Sequence, residues 1–380
     1  MTGFGTKVYK NWRSICIGDF MVKVALISSW GACCGVSIHA ELIGRALLRQ
    51  GHELIVFAPR CYEDRRTYFF FSQDEEFVVR NFSFLRYGDR YRDEELLNSF
   101  YFDPKPILES DYDVLMVEKP TSIPLGKLLE IFPKIKRKAK TVAILHEGIL
   151  PVNPYFSKFD WDVITVFDER FKNLFSKVFP AEKIHIVPFP CHSIKRGDKV
   201  GLRREMGLPE DAKIIFTFGR FYGIEEILHV LRSLREGYPS LIYLCLVRNI
   251  ERFMLLKELR QIYPFIQVKL GRPSIEELYK YLGVIDAILL NRGHPKHIAV
   301  SSTAHLCMGS LNPILCSDVG YFYTFDKEVI KYRTLMELEA RIMDVFEGRV
   351  DETLRSAEEF VNRHSANKIA EELLKISLEA

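Results

Sequence analysis

Short apolar runs alternate with amphipathic stretches along most of the chain. The first apolar run, VKVALISSW at 22–30, is followed by a glycine-bearing turn at 31–37, an amphipathic stretch at 38–50 and a second apolar run at 52–59. Continuous apolar runs of about four to eight residues are typical of strands that a parallel sheet buries on both faces, and Gly51 is suited to end the intervening helix. This segment therefore predicts a βαβ unit with a right-handed crossover.

The alternation continues through the first half of the chain. Further strands are predicted at Val114–Val117, Thr141–Leu145 and Asp162–Val166. Residues 60–110 are rich in aromatic and charged side chains without clean periodicity, and we expect them to form a loop, a hairpin or an insertion near the site. The stretch at 182–199 predicts one more strand and then a Pro- and charge-rich linker.

The alternation restarts after this linker. Strands are predicted at 214–219, 242–247, 265–271, 287–290 and 313–316. Between the third and fourth of them, Ser274 and Glu277 predict a capping box at the start of a helix over 274–282. The spacing of apolar positions in 352–378 predicts one or two terminal amphipathic helices.

Two successive series of βα units predict an α/β protein with two Rossmann-like domains that face each other across a cleft. We expect an N-terminal extension at 1–20, a first domain at 21–192, a second domain at 193–350, and C-terminal helices at 351–380. Residues 1–20 lack the apolar region of a signal peptide, and Met21 is expected to be the physiological start.

The composition, with 48% apolar and 27% charged residues, is that of a folded soluble protein. No segment reaches the roughly 18 consecutive apolar residues of a membrane helix, and the net charge of +3 gives no case for a nucleic-acid partner. The eight cysteines show no zinc-finger spacing, so we expect reduced thiols, no structural metal and a cytoplasmic location. The basic run KIKRKAK at 134–140 is either the solvated end of a helix or a peripheral contact with the inner membrane face.

A group of polar side chains lies between the strands predicted at 287–290 and 313–316. In chain order these side chains are His294, Lys296, His297, Ser301, Ser302 and His305. Doubly wound sheets bind ligands outside the carboxyl ends of their strands. The segment therefore predicts a binding site, and the alternative is a solvated connection that only carries polar residues.

Six segments, taken in order, resemble the family 4 glycosyltransferases of the GT-B fold, and the resemblance covers nearly everything from Met21 to Ala380. They are the opening strand, glycine loop and helix that end in Gly-His-Glu at 51–53, ILHEG at 144–148, KIHIVPFP at 183–190, RREMGLPEDAKIIFTFGR at 203–220, the stretch from VKLGRPS to DAILL at 268–290, and PILCSDVGY at 313–321. The order of these landmarks carries the resemblance more than any one of them.

The resemblance implies a retaining glycosyltransferase that moves a sugar from a nucleotide-sugar donor to an acceptor hydroxyl without a metal or a bound cofactor. The donor would bind the second domain and the acceptor the first, and the departing phosphate would help to deprotonate the acceptor hydroxyl. The GT-B fold also implies that the C-terminal helices pack back toward the first domain. The acceptor could be a saccharide, a lipid-linked group or a small molecule. The sequence indicates nothing about the oligomeric state.

The resemblance also implies roles for individual residues. His146 would be catalytic, because it would contact the transferred sugar or the acceptor and polarise a hydroxyl proton. The residues expected to bind the donor are Gly35, Val36, Arg220, Arg272, His297, Ser301, Ser302 and His305. Three of these roles have simpler alternatives: a structural histidine for His146, a surface ion pair for Arg220 and an exposed loop residue for Arg272.

Two departures from the family pattern keep other functions open. Tyr222 stands at about the position of the usual Lys after Gly-Arg, and no Glu occurs between 278 and 327, where the family carries two Glu eight positions apart. His297 and His305 have that spacing, and a neutral imidazole can accept a hydrogen bond from a ribose hydroxyl. The alternatives are a catalytically impaired relative that binds a nucleotide or a partner protein, and an epimerase acting on a nucleotide sugar.

Overall fold

The computed structural model describes residues 21–32, 34–60, 74–219 and 222–380. Within these residues the chain forms two parallel sheets, one of seven strands and one of six, each flanked by helices. The predicted α/β class with two Rossmann-like sheets is confirmed.

The first sheet lies in the N-terminal half. Its strands are β1 (Lys23–Ile27), β2 (Glu53–Pro59), β3 (Val78–Phe82), β4 (Val114–Glu118), β5 (Lys140–Ile144), β6 (Val163–Val166) and β7 (Ile184–Ile186). Their order across the sheet is β3-β2-β1-β4-β5-β6-β7, and all neighbouring strands are parallel. The order reverses between β1 and β4, and a crevice for ligands opens at the carboxyl ends of such strands.

Helices follow most strands of the first sheet. They are α1 (Gly35–Arg49), α2 (Glu94–Ser99), α3 (Lys105–Glu109), α4 (Leu125–Lys136) and α5 (Glu169–Phe175), with single 3-10 turns at Pro120–Ser122, Phe156–Lys158 and Ala181–Lys183. Helix α1 buries Ala40, Ile43 and Leu47 against the sheet, which is the spacing of one helical face. The amphipathic stretch predicted at 38–50 is therefore this helix.

The second sheet lies in the C-terminal half. Its strands are β8 (Ile214–Phe218), β9 (Ile242–Val247), β10 (Ile266–Leu270), β11 (Ala287–Leu290), β12 (Ile314–Ser317) and β13 (Ile330–Tyr332). They are parallel in the order β10-β9-β8-β11-β12-β13. The order reverses between β8 and β11, which sets a second crevice at their carboxyl ends.

The helices of the second sheet are α6 (Lys199–Glu205), α7 (Ile224–Leu234), α8 (Ile250–Ile262), α9 (Ile275–Leu282), α10 (Ser302–Met308) and α11 (Leu335–Phe346), with a 3-10 turn at Gly320–Phe322. The capping box predicted for α9 is confirmed. The backbone N–H of Glu277 donates to Oγ of Ser274 at 3.2 Å, and the backbone N–H of Ser274 donates to Oε2 of Glu277 at 2.8 Å.

The chain ends in helices α12 (Asp351–Arg363) and α13 (Ala366–Glu379). Phe360 of α12 belongs to a core of the second sheet, whereas Leu373 and Leu374 of α13 are buried in the core of the first. Near the start of α13, the carbonyl of Asn367 accepts a hydrogen bond from Nε2 of Gln50 at the end of α1. The prediction that the C-terminal helices pack back toward the first domain is confirmed.

Some elements carry no clear sequence signal. Strand β3 and helices α2 and α3 lie in the segment 60–110, of which residues 61–73 are outside the described residues. Strand β3 is an edge strand in which Arg80, paired with Asp74 at 2.6 Å, breaks the apolar run. Strand β13 and helix α11 were likewise not predicted.

The basic run at 134–140 is largely occupied by contacts within the protein. Lys136 pairs with Asp162 at 3.0 Å, Lys138 donates to backbone carbonyls that include that of Ser110, and Lys140 donates to the carbonyl of Ala380. These contacts favour the helix-end interpretation over a membrane contact. Across the part of the chain that the structure describes, we find no helix that is long and apolar enough to cross a membrane.

Candidate functional site

Two histidines share one buried carboxylate at the carboxyl edge of the first sheet. Glu118 ends β4, His146 follows β5, and His39 lies on the inner face of α1. Oε1 of Glu118 lies 2.9 Å from Nδ1 of His39, and Oε2 lies 3.4 Å from Nε2 of His146. Ser28, just after β1, donates its hydroxyl to the same Oε2 at 3.3 Å. We call His39, Glu118 and His146 the His–Glu–His cluster.

The charges of this cluster follow from its burial. Burial alone would raise the pKa of Glu118, but the attraction of His39 and the contact with His146 hold it at about 2. Burial lowers the pKa of His146 to about 4, although Glu118 opposes this shift. At neutral pH the carboxylate is therefore charged and His146 is neutral, with a lone pair that can accept a proton or a hydrogen bond.

The His–Glu–His cluster also has the composition of a metal site. One ligand atom from each side chain lies within 4.8 Å of the others, and two imidazoles with a carboxylate suit a cation such as Zn²⁺. However, each oxygen of Glu118 faces a different imidazole, with Oε1 at hydrogen-bond distance from His39 and Oε2 in a longer ion-pair contact with His146. The expectation of a metal-free protein stays a prediction.

An arginine that the sequence analysis did not single out is buried at the carboxyl edge of the second sheet. Arg292, two residues after β11, is only 8% exposed, and its backbone N–H donates to Oγ of Ser317 at the end of β12. A side-chain carbon added at Gly219, directly after β8, would lie 3.8 Å from both Nη2 of Arg292 and Oγ1 of Thr303. The guanidinium therefore stands beside the turn after β8 and the start of α10.

The carboxyl edges of the two sheets meet at the start of α10. A side-chain carbon added at Gly35 would lie 3.0 Å from Oγ of Ser302, so the turn after β1 reaches this helix directly. Beside this contact, the backbone N–H of Ile298 donates to the carbonyl of Gly148 at 3.1 Å. We call the meeting of the Gly35 and Gly219 turns with Ser302 and Thr303 the junction.

The junction brings together some of the residues predicted to bind a donor. Gly35 and Val36 form the first turn of α1, Ser301 caps α10, and Ser302 begins it. His297 is exposed in the loop beside Gly148, two residues after His146.

The remaining predicted donor residues lie elsewhere. Arg272 follows the edge strand β10, two strands away from β8, or roughly 10 Å at the usual strand spacing. Arg220 is outside the described residues.

His305 lies in the interior, although its spacing from His297 suggested a contact with the donor ribose. Its side chain is 2% exposed, its Nδ1 is 2.9 Å from the carbonyl oxygen of Ser301, and its ring packs against Phe189, Phe325 and Phe360. Burial lowers its pKa to about 4. A ribose contact would require this ring to be uncovered, so the arrangement favours a packing role.

Comparisons with known proteins address the fold. No protein-family model matches the chain. A sucrose-phosphate synthase from Thermosynechococcus elongatus has a similar structure, with a TM-score of 0.65, 15% identity, and coverage of 93% of this chain and 98% of that chain. A glycosyltransferase from Rickettsia africae ESF-5 is similar with a TM-score of 0.63, 13% identity, and coverage of 94% and 98%.

A third similar structure is Anabaena HepE in complex with UDP-glucose, with a TM-score of 0.60, 12% identity, and coverage of 93% and 98%. These structures span both sheets of this chain. The chain has the GT-B fold. At such low identities the likeness concerns the fold alone, so the activity has to be argued from the junction and the His–Glu–His cluster.

Proposed function

We propose that the protein transfers a sugar from a nucleotide-sugar donor to an acceptor hydroxyl. The observation that carries the proposal is the junction, where a glycine turn from each sheet meets two hydroxyl groups beside a buried guanidinium. A nucleotide-sugar donor loses a diphosphate-bearing nucleotide, and the transition state is stabilised by hydrogen-bond donors and cations fixed beside that group. The junction supplies both.

Arg292 would contribute positive charge near the diphosphate. A guanidinium can donate two parallel hydrogen bonds to a phosphate, and burial strengthens such contacts because little water competes. The family position usually held by Lys is Tyr222 here, so a cation from another strand end is needed. Arg220 is proposed as a second cation, and Arg272 as a contact nearer the base.

His146 would act on the acceptor side. Glu118 orients its Nε2 edge and the pKa of about 4 keeps the ring neutral, so the ring can accept a hydrogen bond from a sugar or acceptor hydroxyl. Metal-independent transfer with retention, in the manner of family 4 enzymes, is part of the proposal. The first donors to test carry uridine, because Anabaena HepE has been solved with UDP-glucose and pneumococcal GtfA with UDP and GlcNAc.

A catalytically impaired nucleotide-binding protein is the second candidate. The observation that favours it is the placement of His305, which is packed among phenylalanines where the resemblance led us to expect a donor contact. Such a protein would bind nucleotides at the junction without turning donors over.

Calorimetric titration with UDP, GDP and ADP, followed by their glucose conjugates, tests the proposal. We expect one nucleotide series to bind the wild-type protein and Arg292→Ala to weaken that binding by about 10-fold to 100-fold, the usual loss for a charge-assisted hydrogen bond. Arg204→Ala is the matched control, because Arg204 is an exposed arginine on α6 that pairs with Glu210. Absence of binding by the wild-type protein in every series would refute both candidate functions.

A further inference from the structure

One arginine of the first domain joins two loops of the second domain at the edge where the donor would bind. We propose that Arg170, on helix α5, is a positioning residue that holds these loops in the arrangement needed for transfer. The inference rests on the proposed function for its role in transfer, although the contacts themselves do not depend on it.

The side chain of Arg170 is fixed from its own domain by Asp168. Asp168 caps α5, is 8% exposed and accepts from the backbone N–H of Arg170 at 2.9 Å. Its Oδ2 accepts from Nη2 of Arg170 at 2.7 Å, and its Oδ1 accepts from Nε at 3.1 Å. A planar guanidinium bound in this two-point way points its remaining N–H groups in set directions.

Those remaining N–H groups reach the second domain. Nη1 donates to the carbonyl of Gly320 at 2.8 Å, and Nη2 donates to the carbonyl of Ala299 at 3.2 Å. The guanidinium carbon also lies 4.1 Å from the ring centroid of Tyr323. Ala299 belongs to the loop after β11, and Gly320 belongs to the turn after β12. A single side chain therefore ties together the loops that follow two neighbouring strands of the second sheet.

The loop that contains Ala299 contacts the first domain on both sides of that residue. Ile298 and Val300 pack against the core of the first sheet, and the N–H of Ile298 donates to the carbonyl of Gly148. Three residues after Ala299 comes Ser302, whose hydroxyl faces Gly35 at the junction. A shift of Ala299 would therefore be transmitted along the chain to the junction.

This geometry gives Arg170 a defined task. Donor and acceptor must be held close and in a set orientation before transfer, and contacts that span the two domains maintain that orientation. The carbonyls of Ala299 and Gly320 are neutral acceptors that lie in different directions from Arg170. A guanidinium can donate to both at once through its fixed N–H groups, whereas a lysine carries one ammonium group at the end of a flexible chain. Arg170→Lys should therefore keep the charge and lose most of the positioning.

Hydrogen exchange in the ligand-free protein tests the contact network directly. The backbone amide of Ile298 is protected by its bond to Gly148, and we expect Arg170→Ala to speed its exchange by about tenfold or more. Arg170→Lys should give an intermediate increase, and Arg204→Ala should give none. The exchange rates of the amides of β9, an inner strand of the second sheet, should be unchanged in every variant and show that this sheet is folded.

Exchange of Ile298 at the wild-type rate in Arg170→Ala would overturn the inference. If Arg170→Ala does not fold, the test uses Arg170→Lys, and exchange of the Ile298 amide at the wild-type rate in that variant would overturn the inference. Tyr323→Ala, at a side chain that is 60% exposed and safe to truncate, should raise the exchange rate by a smaller factor.

A second readout separates this inference from the proposed function. The probe is UDP-glucose, which is hydrolysed to UDP and glucose with water as the acceptor. We expect Arg170→Ala to lower kcat for this hydrolysis by at least about tenfold while the affinity for UDP changes less than about threefold, because Arg170 makes its contacts with loop carbonyls. Faster exchange at Ile298 together with no nucleotide binding by the wild-type protein would refute the proposed function and keep the contact network. If the wild-type protein turns the donor over, and Arg170→Ala has the wild-type exchange rate at Ile298 and the wild-type kcat, the proposed function is supported and the role of Arg170 is refuted.

Discussion

Replacing His305 by phenylalanine should make the protein less sensitive to acid. The ring is buried among three phenylalanines and its pKa is about 4 in the folded protein, against 6.5 in an unperturbed histidine. As pH falls below 6.5, the unfolded chain binds a proton at this position and the folded protein does not. The unfolding free energy therefore falls as pH drops from 6.5 toward 4 because of His305. Phenylalanine does not bind a proton, so the variant lacks this contribution.

The size of the effect follows from the two pKa values. Between pH 8 and pH 5, the linkage relation gives a loss of about 2 kcal/mol of unfolding free energy from His305 alone. His146, with the same pKa of about 4, contributes a similar loss that the variant retains. In the variant the carbonyl of Ser301 keeps its hydrogen bond from the backbone N–H of residue 305, so losing the imidazole does not leave that carbonyl unpaired.

Urea unfolding followed by circular dichroism at pH 8 and pH 5 measures this difference. The fall in unfolding free energy between the two pH values should be smaller by about 2 kcal/mol in His305→Phe than in the wild-type protein. The control is His229→Phe, because His229 is exposed on helix α7. Equal falls in wild type and His305→Phe would refute the buried, neutral placement of His305 and would restore it as a residue that reaches solvent or ligand.

Three further predictions concern other parts of the structure. Glu118→Gln should lower the unfolding free energy at pH 7 by about 3 kcal/mol, because the pKa of Glu118 lies near 2 rather than 4.5. The difference in unfolding free energy between the variant and the wild type should shrink as pH falls from 4.5 toward 2. A difference that does not change with pH would contradict this prediction. Gly148→Ala should increase the radius of gyration in small-angle X-ray scattering, because the added methyl group would overlap the carbonyl oxygen of Ile298. Gly237→Ala is the control and should not change it, because the added methyl group there would lie 3.9 Å from its nearest neighbour, the carbonyl oxygen of Leu234. Replacing Lys134 and Arg137 by alanine should leave vesicle sedimentation unchanged, since the rest of the basic run is held by internal contacts; reduced sedimentation would restore the membrane interpretation.

The sequence predicts the sheets well where strands are uninterrupted apolar runs. The bounds of β9 and β11 match the predicted 242–247 and 287–290, because every residue in both strands is buried and the apolar run ends where the strand ends. An edge strand such as β3 does not need an uninterrupted apolar run, because it has a neighbouring strand on one side only and most of its residues are only partly buried. Local pattern therefore identifies central strands and misses marginal ones.

The candidate site was predicted less completely, for a different physical reason. The position of Ser302 after β11 follows from strand order, so the junction lies where the sequence placed a binding site. Arg170 and Arg292 are single arginines whose roles depend on contacts with residues far away in the chain, and no local spacing identifies them. The burial of His305 could not be inferred from its spacing to His297, because it depends on α10 beginning at Ser302, which places residue 305 about one helical turn later on a buried face.

Donor turnover at the junction is the most direct test of the proposed activity. The measurement is the rate at which UDP-glucose is hydrolysed to UDP and glucose, with water as the acceptor, by wild type, Arg292→Ala and Arg204→Ala in the presence of EDTA. GDP-glucose and ADP-glucose are tested in the same way, with release of GDP and ADP. We predict release from one donor series by wild type and Arg204→Ala, with a rate lower by about 10-fold or more in Arg292→Ala. Nucleotide binding without release from any donor would contradict glycosyl transfer, and equal rates in all three proteins would contradict the placement of the diphosphate beside Arg292.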